Sequence, residues 1–297
     1  MSSSFRAAST VAVLLIAPSA ILSAQNRVDG WTYTMNITTD SGAGHRSSMA
    51  MRHQVTANRY RMEVVQVSGL ADANGAEGMY NILNDADTTM TMVMPAQRMA
   101  TVTSLAGLPD IGKMRLTMKE HVTSRNVADL GAGETILGHP THRYRITTAG
   151  TVDITIMGQS CTQRLDGTSD VWIAPDVDLA APMLAALKHF NGAGGVLLDD
   201  QSEATLKMPF KGAALRTISR KTRVDESGKT LTVTTTTEYV ELEHRQLDAS
   251  LFAVPSDYHT MDMRAMMKTL PAGMLDSAMA AGVGHTGDAI CKAAGGN

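Results

Sequence analysis

Thioethers at alternate positions are the first residues in this 297-residue chain whose type and spacing invite chemistry. Met90, Met92 and Met94, and earlier Met49 and Met51, repeat a soft sulfur every second residue, the donor type that Cu(I) selects. On a strand, i and i+2 share a face, but at about 3.3 Å of rise per residue their side-chain roots stand roughly 6.5–7 Å apart, so two sulfurs have to bend together to meet one ion. Methionine as an adaptable apolar filler explains the same spacing without that demand. The histidines are scattered. His139 and His142 stand at i, i+3 around Pro140, in a turn entering a strand and with no third ligand placed beside them. Glu241-Leu242-Glu243-His244 lacks the second His of a helical zinc motif. Gly158-Gln159-Ser160-Cys161 lacks the closing Gly of a nucleophile elbow, and Gly192-Ala193-Gly194-Gly195 has no Gly-Lys-Ser/Thr and opens no helix, so it does not cradle phosphate. Asp199-Asp200 reads as solvated charge. No motif names a reaction, and neither a metal nor a cofactor is expected.

The elements that carry these residues are strands. Trp31, Tyr33, Met35 and Ile37 alternate with Thr32, Thr34, Asn36 and Thr38; Tyr60, Met62 and Val64 alternate with Arg59, Arg61 and Glu63; Met114, Leu116 and Met118 alternate with Lys113, Arg115, Thr117 and Lys119. Turn signals at Ser41-Gly42-Ala43-Gly44, Ala57-Asn58, Asn74-Gly75, Asp85-Ala86-Asp87 and Met94-Pro95-Ala96 fit a meander of antiparallel hairpins. Further strands are expected at His142–Thr148 and Val152–Met157, as a hairpin about Ala149-Gly150-Thr151, and at Thr168–Ala174, Glu203–Met208, Leu215–Val224 and Thr230 to about Leu242. A helical insertion near 178–195 carries the apolar stripe Met183, Leu184, Ala186, Leu187 and Phe190, with Pro182 in its first turn and Asn191-Gly192 as its cap. Short helices are also expected over Met261–Met267 and Ala272–Ala281, within a tail spanning 261–297.

The first 24 residues read as a secretory leader: Arg6, an apolar run Val11 to Ile16 too short to span a bilayer, and Leu22-Ser23-Ala24 before a cut after Ala24. No Cys follows that cut to take an N-terminal lipid, and no later apolar stretch suits a transmembrane anchor. The expectation is a periplasmic or secreted protein with one β-rich domain over 25–260. Removing Arg6 leaves 25 cationic against 29 acidic side chains, a net charge of −4, which gives no field to hold nucleic acid. Aromatics make up only 4% of the chain while Met numbers 21, so thioethers are expected to fill the interior. In an oxidising compartment Cys161 and Cys291 are expected to form one disulfide, closing a loop that the chain-entropy model values at about 4–5 kcal/mol.

Gly133-Glu134-Thr135-Ile136-Leu137-Gly138-His139-Pro140 with His142 and Tyr144, then Asp170-Val171-Trp172-Ile173-Ala174-Pro175, then Leu251-Phe252-Ala253-Val254-Pro255 with Asp257-Tyr258, resemble a family of exported bacterial proteins known as a domain of unknown function. Its members look like the periplasmic lipoprotein carriers and outer-membrane lipoprotein receptors. Asp257 replaces a Gly found in many relatives, and Met183 to Gly195 has no counterpart. The resemblance implies a mainly β fold, a strongly curved antiparallel half-barrel wrapping a few short α-helices. It also implies a non-catalytic carrier or sensor of lipid or lipoprotein acyl chains. Trp31, Tyr33, Met35, Met62, Met114 and Met118 are then expected as cavity wall, with Met183, Leu187 and Phe190 as a lid. The alternatives are an envelope protein that binds another envelope protein and whose helices plug the sheet, and an uncharacterised hydrolase assembled from residues distant in sequence.

Overall fold

The alternating segments are strands in the computed structural model, which describes residues 26–41, 44–69, 75–84, 89–104, 116–156, 159–164, 166–179, 197–198, 210–224, 230–263 and 265. Among these the strands are β1 (Arg27–Asp40), β2 (Arg46–Val55), β3 (Arg59–Ser68), β4 (Tyr80–Asn84), β5 (Thr89–Met94), β6 (Met99–Ser104), β7 (Leu116–Ile136), β8 (His139–Ile156), β9 (Gln159–Arg164), β10 (Gly167–Ala174), β11 (Leu197–Leu198), β12 (Ala213–Val224), β13 (Thr230–Asp248) and β14 (His259–Asp262). They form one sheet in the order β11-β7-β8-β10-β12-β13-β1-β2-β3-β4-β5-β6-β14, with β9 on the C-terminal half of β8. Pairing is antiparallel except at the two borders, where β11 runs parallel to β7 and β14 parallel to β6. The architecture is mainly β, as the alternation requires.

Three readings of the sequence are corrected. The hairpin expected about Ala149-Gly150-Thr151 is absent, because β8 runs unbroken from His139 to Ile156. Gly150 lies opposite Val122 beside a register shift in β7, and a Cβ there would run into the His121 carbonyl. This Gly admits a close backbone approach instead of making a turn. Met261 and Asp262, expected to start a helix, instead complete β14, because the free edge of β6 satisfies their backbone groups. Helical geometry begins at Met263, with Asp262 accepting from the Ala265 amide. The wider expectation of several short α-helices has no support among the described residues, whose complete helical elements are the 3-10 turns Pro95–Gln97 and Ala249–Phe252. The segments Met183–Phe190, Glu203–Met208 and Ala272–Ala281 lie outside the described residues.

Register assigns each side chain a face. Tyr33 pairs with His53 and Leu242, His53 with Met62, Met35 with Met51, and Ile37 with Met49. Following that parity outward, Met62 meets Asn81 and then Met92, Leu83 meets Met90, and Met94 meets Met99. One face of β1, β2, β3, β5 and β6 is therefore rich in methionine. On the opposite face Val28, Leu247, Tyr80, Ile82, Val93 and Ala100 form a core that Phe252, Leu251, Val254 and Tyr258 close. The segment Ala249–Tyr258 thus crosses that face after leaving β13, and Arg61 fixes it by donating to the Leu251 carbonyl at 3.1 Å while its guanidinium lies 3.5 Å over the Tyr80 ring.

Candidate functional site

The methionine face has a polar centre. Tyr239 on β13, Tyr33 on β1, His53 on β2 and Tyr60 on β3 come from four consecutive strands of the sheet. Tyr33 stacks on His53 at 4.6 Å between ring centroids and on Tyr239 at 5.0 Å. His53 Nδ1 lies 2.7 Å from the Tyr60 hydroxyl. Trp31, one step along β1, packs against His244 at 4.8 Å. Buried Val55, Leu215, Ala213 and Trp172 belong to the same core cluster as Tyr33.

Burial sets the electrostatics of these four residues. His53 is 4% exposed; removal from water penalises the imidazolium and pushes its pKa down to about 4. Tyr33 is raised well above the ordinary phenol by burial and by the neighbouring Tyr239 and Tyr60 phenols, and Tyr60 is raised by burial and Tyr239. Tyr239 is pushed up to about 12 by burial. At neutral pH all four are uncharged. An imidazole that titrates near 4 is a weak base at pH 7, so the cluster offers hydrogen bonds from a dry apolar face more readily than proton transfer. His53 Nε2 is buried and unpartnered among the described residues.

A second polar cluster spans β8, β10 and β12. Asp170, whose side chain is 4% exposed, accepts from Arg143 at 2.8 Å and from Arg145 at 2.7 and 3.0 Å, with Arg220 at 3.8 Å. Those guanidinium bonds hold its carboxyl down at about 2 against the cost of burial. Arg143 and Arg216 also lie over the Trp172 ring, at 4.8 and 5.6 Å. This arrangement ties three strands through one neutralised carboxylate.

Of the expected wall residues, the structure places Trp31, Tyr33 and Met35 on β1 and Met62 on β3, on the same face of the sheet with β2 between them. Met118 lies in β7 opposite Ile154, with its side chain outside the described set. Met114, Met183, Leu187, Phe190 and Cys291 lie outside the described residues, and Cys161 is placed by its backbone in β9. His139 and His142 each meet one carboxylate, Asp176 at 2.7 Å and Asp129 at 2.5 Å. Among the described residues no third metal-ligating side chain joins either pair. The sequence reading missed His53. Its signal was a histidine at an inward position of the run Met49, Met51, His53, Val55, but its partners emerge only with the strand register.

A family model described as a domain of unknown function (DUF4412) matches residues 30–258, from β1 through the crossing segment. The chain belongs to this family. Solved structures similar to this DUF4412 chain include an uncharacterised conserved protein from Thermus thermophilus, 12% identical over 82% of this chain and 96% of that one, with a TM-score of 0.34. Another is a LolA superfamily protein from Nitrosomonas europaea, 10% identical over 78% and 94%, with a TM-score of 0.31. A third is the Pseudomonas aeruginosa MucA/MucB complex, 10% identical over 75% and 96%, with a TM-score of 0.21. No curated protein matches the chain. Among the described residues no helix is long and apolar enough to cross a membrane.

Proposed function

We propose that this protein is an exported, non-catalytic carrier or sensor that binds the acyl chains of lipids or lipoproteins on its methionine face. The observation that carries the reading is the concentration of methionine on that face: Met35, Met51, Met62, Met90, Met92 and Met94 share it across four strands. Met92 is 38% exposed and the others are half-buried. Unbranched thioether chains repack around a flexible hydrocarbon at little cost, as a wall of branched side chains does not.

The reading includes a strongly curved, half-barrel sheet. Seven inter-strand steps separate β13 from β14, about 34 Å if the sheet were flat. The segment that bridges them holds a four-residue 3-10 turn and a turn closed by the Tyr258 amide on Pro255, which leaves it a reach of about 25 Å. That deficit supports bending of the sheet toward the segment, on the face of Leu247, Tyr80 and Val93, and leaves shelter of the methionine face to the expected helices. Expected helices such as Met183–Phe190, with Leu187 in the stripe, are proposed as the lid, and the Cys161–Cys291 disulfide as the tie of the tail. The leader through Ala24 is proposed to deliver the protein to the periplasm or the exterior.

The test is titration of delipidated mature protein with a fluorescent fatty acid and a fluorescent lipopeptide. Saturable binding is expected, weakened at least tenfold in Met62→Lys, which sets an ammonium among the thioethers. Failure to bind both probes sinks the reading. A second reading, an envelope interaction protein with a permanently filled sheet, is favoured by the burial at the centre of the face, where Tyr33 is 3% and Leu215 0% exposed. It requires no ligand and a stable complex with another envelope protein.

A further inference from the structure

His53 Nε2 is a buried polar atom with no partner among the described residues, and native interiors keep few such atoms without a use. Its tautomer follows from Tyr60. The phenol is buried and holds its proton, and its oxygen stands 2.7 Å from Nδ1. Donation by the phenol leaves one group open, the Nε2 hydrogen, whereas donation from Nδ1 would leave both the phenol hydrogen and the Nε2 lone pair open among the described residues. So Nδ1 accepts, and the neutral ring carries its hydrogen on Nε2. The unfilled group is therefore a donor, and what fills it must be an acceptor.

We infer that His53 Nε2–H recognises the carbonyl oxygen of an acyl ester or amide, reached past the side chain of Met62. The inference rests on the acyl-binding reading above and names the polar end of that ligand. Met62 stands directly opposite His53 across β2 and β3 and is half-buried, so rotation of its unbranched chain opens the approach. Met51 and Met35, on the same face, continue the path for hydrocarbon. The acceptor is a neutral carbonyl and not a carboxylate. The guanidiniums beside His53 on β2 and beside Met62 on β3, Arg52 and Arg61, have the opposite parity, and Arg61 lies over Tyr80 on the far face, so neither supplies a counter-charge to a carboxylate buried here.

The experiment compares ligands that differ only in the carbonyl. Delipidated mature protein and its His53→Phe variant are titrated calorimetrically with monomeric short-chain diacyl phosphatidylglycerol and with the dialkyl ether analogue. A second arm uses a diacylglyceryl-cysteine peptide and its ether analogue, and the tighter arm identifies whether the carbonyl comes from a lipid or a lipidated protein. The wild type is expected to prefer ester over ether about tenfold, the worth of one hydrogen bond, and His53→Phe to bind both at the level of the ether. Equal binding of ester and ether by the wild type overturns the inference and leaves acyl binding standing; binding of neither in either arm overturns both. Nitrogen-15 NMR of the wild-type imidazole decides independently of how the variant folds. The Nε2 resonance is expected to report a protonated nitrogen that shifts with ester and not with ether, and a resonance unmoved by ester overturns the inference.

Discussion

A histidine at the centre of an apolar face stabilises the fold only while it is neutral. The unfolded chain protonates His53 below about 6.5, whereas the folded chain holds it neutral down to about 4. Between those values the unfolded state binds the extra proton, so stability is lost as pH falls through the window and is fully present above it. The size is about 3 kcal/mol at about 1.36 kcal/mol per pK unit. Asp170 acts in a separate, lower window. Its folded carboxyl titrates at about 2 against an ordinary 3.8, so its contribution of about 2 kcal/mol is present above 3.8 and disappears as pH falls toward 2. Urea melts from pH 7.5 to 3 are expected to show a steeper loss between 6.5 and 4 in the wild type than in the His53→Phe/Tyr60→Phe pair, the second change removing the hydroxyl that would be left without its acceptor. Asp170→Asn should leave that window intact while weakening the protein at every pH above 4, since it leaves Arg143 and Arg145 half-partnered. A wild-type profile flat from 6.5 to 4 contradicts the buried neutral imidazole.

At the scale of elements, alternation and turn chemistry were informative where contacts are local. The β1–β2, β2–β3 and β5–β6 connections fall at the turn residues named from the sequence, because hairpin partners are neighbours in the chain. The reading failed where a glycine serves a different need. Gly150 resembled a turn in sequence, but it accommodates the backbone of β7, and nothing in its immediate neighbours announces a partner strand contributed from His121 and Val122. The β7–β8 hairpin supplies the test. Leu137 and Gly138 both hold left-handed backbone, at φ 51° and 85°, the two-residue turn that favours Asn-Gly. Leu137 is 41% exposed, so its side chain offsets little of the cost of that conformation, about 1 kcal/mol for a non-glycine residue. Leu137→Asn is expected to raise stability by about 0.5–1 kcal/mol in chemical denaturation, with an unchanged slope. Equal or lower stability would mean that the Leu side chain contributes packing which its exposure does not reveal.

The whole molecule depends on pairings that no local pattern encodes. β1 is flanked by β2, its chain neighbour, and by β13, from the far end of the described chain, and this junction builds the Tyr239-Tyr33-His53-Tyr60 row. Composition misled in one respect: with aromatics at 4% and 21 methionines thioethers were expected to fill the interior, but among the described residues the buried apolar side chains are Val, Leu, Ile, Ala and aromatics, and the methionines gather half-buried on one face. Such a face needs cover, and hydrocarbon from a ligand or side chains from the protein itself would supply it equally well in energetic terms, at about 25 cal/mol per Å² removed from water. Native mass spectrometry separates these cases. The chain is to be expressed from Met1 in a Gram-negative periplasm, purified without detergent, and weighed before and after organic extraction. A carrier should retain a stoichiometric adduct that extraction removes and that fragments to acyl chains, on a polypeptide beginning at Gln25 and two hydrogens lighter than its sequence if Cys161 and Cys291 are joined. A bare polypeptide of that mass, unchanged by extraction and refractory to added lipid, would mean that the protein covers its own methionines. The hydrogen bond left open at His53 would then be filled by water, because a permanently closed face admits no larger acceptor.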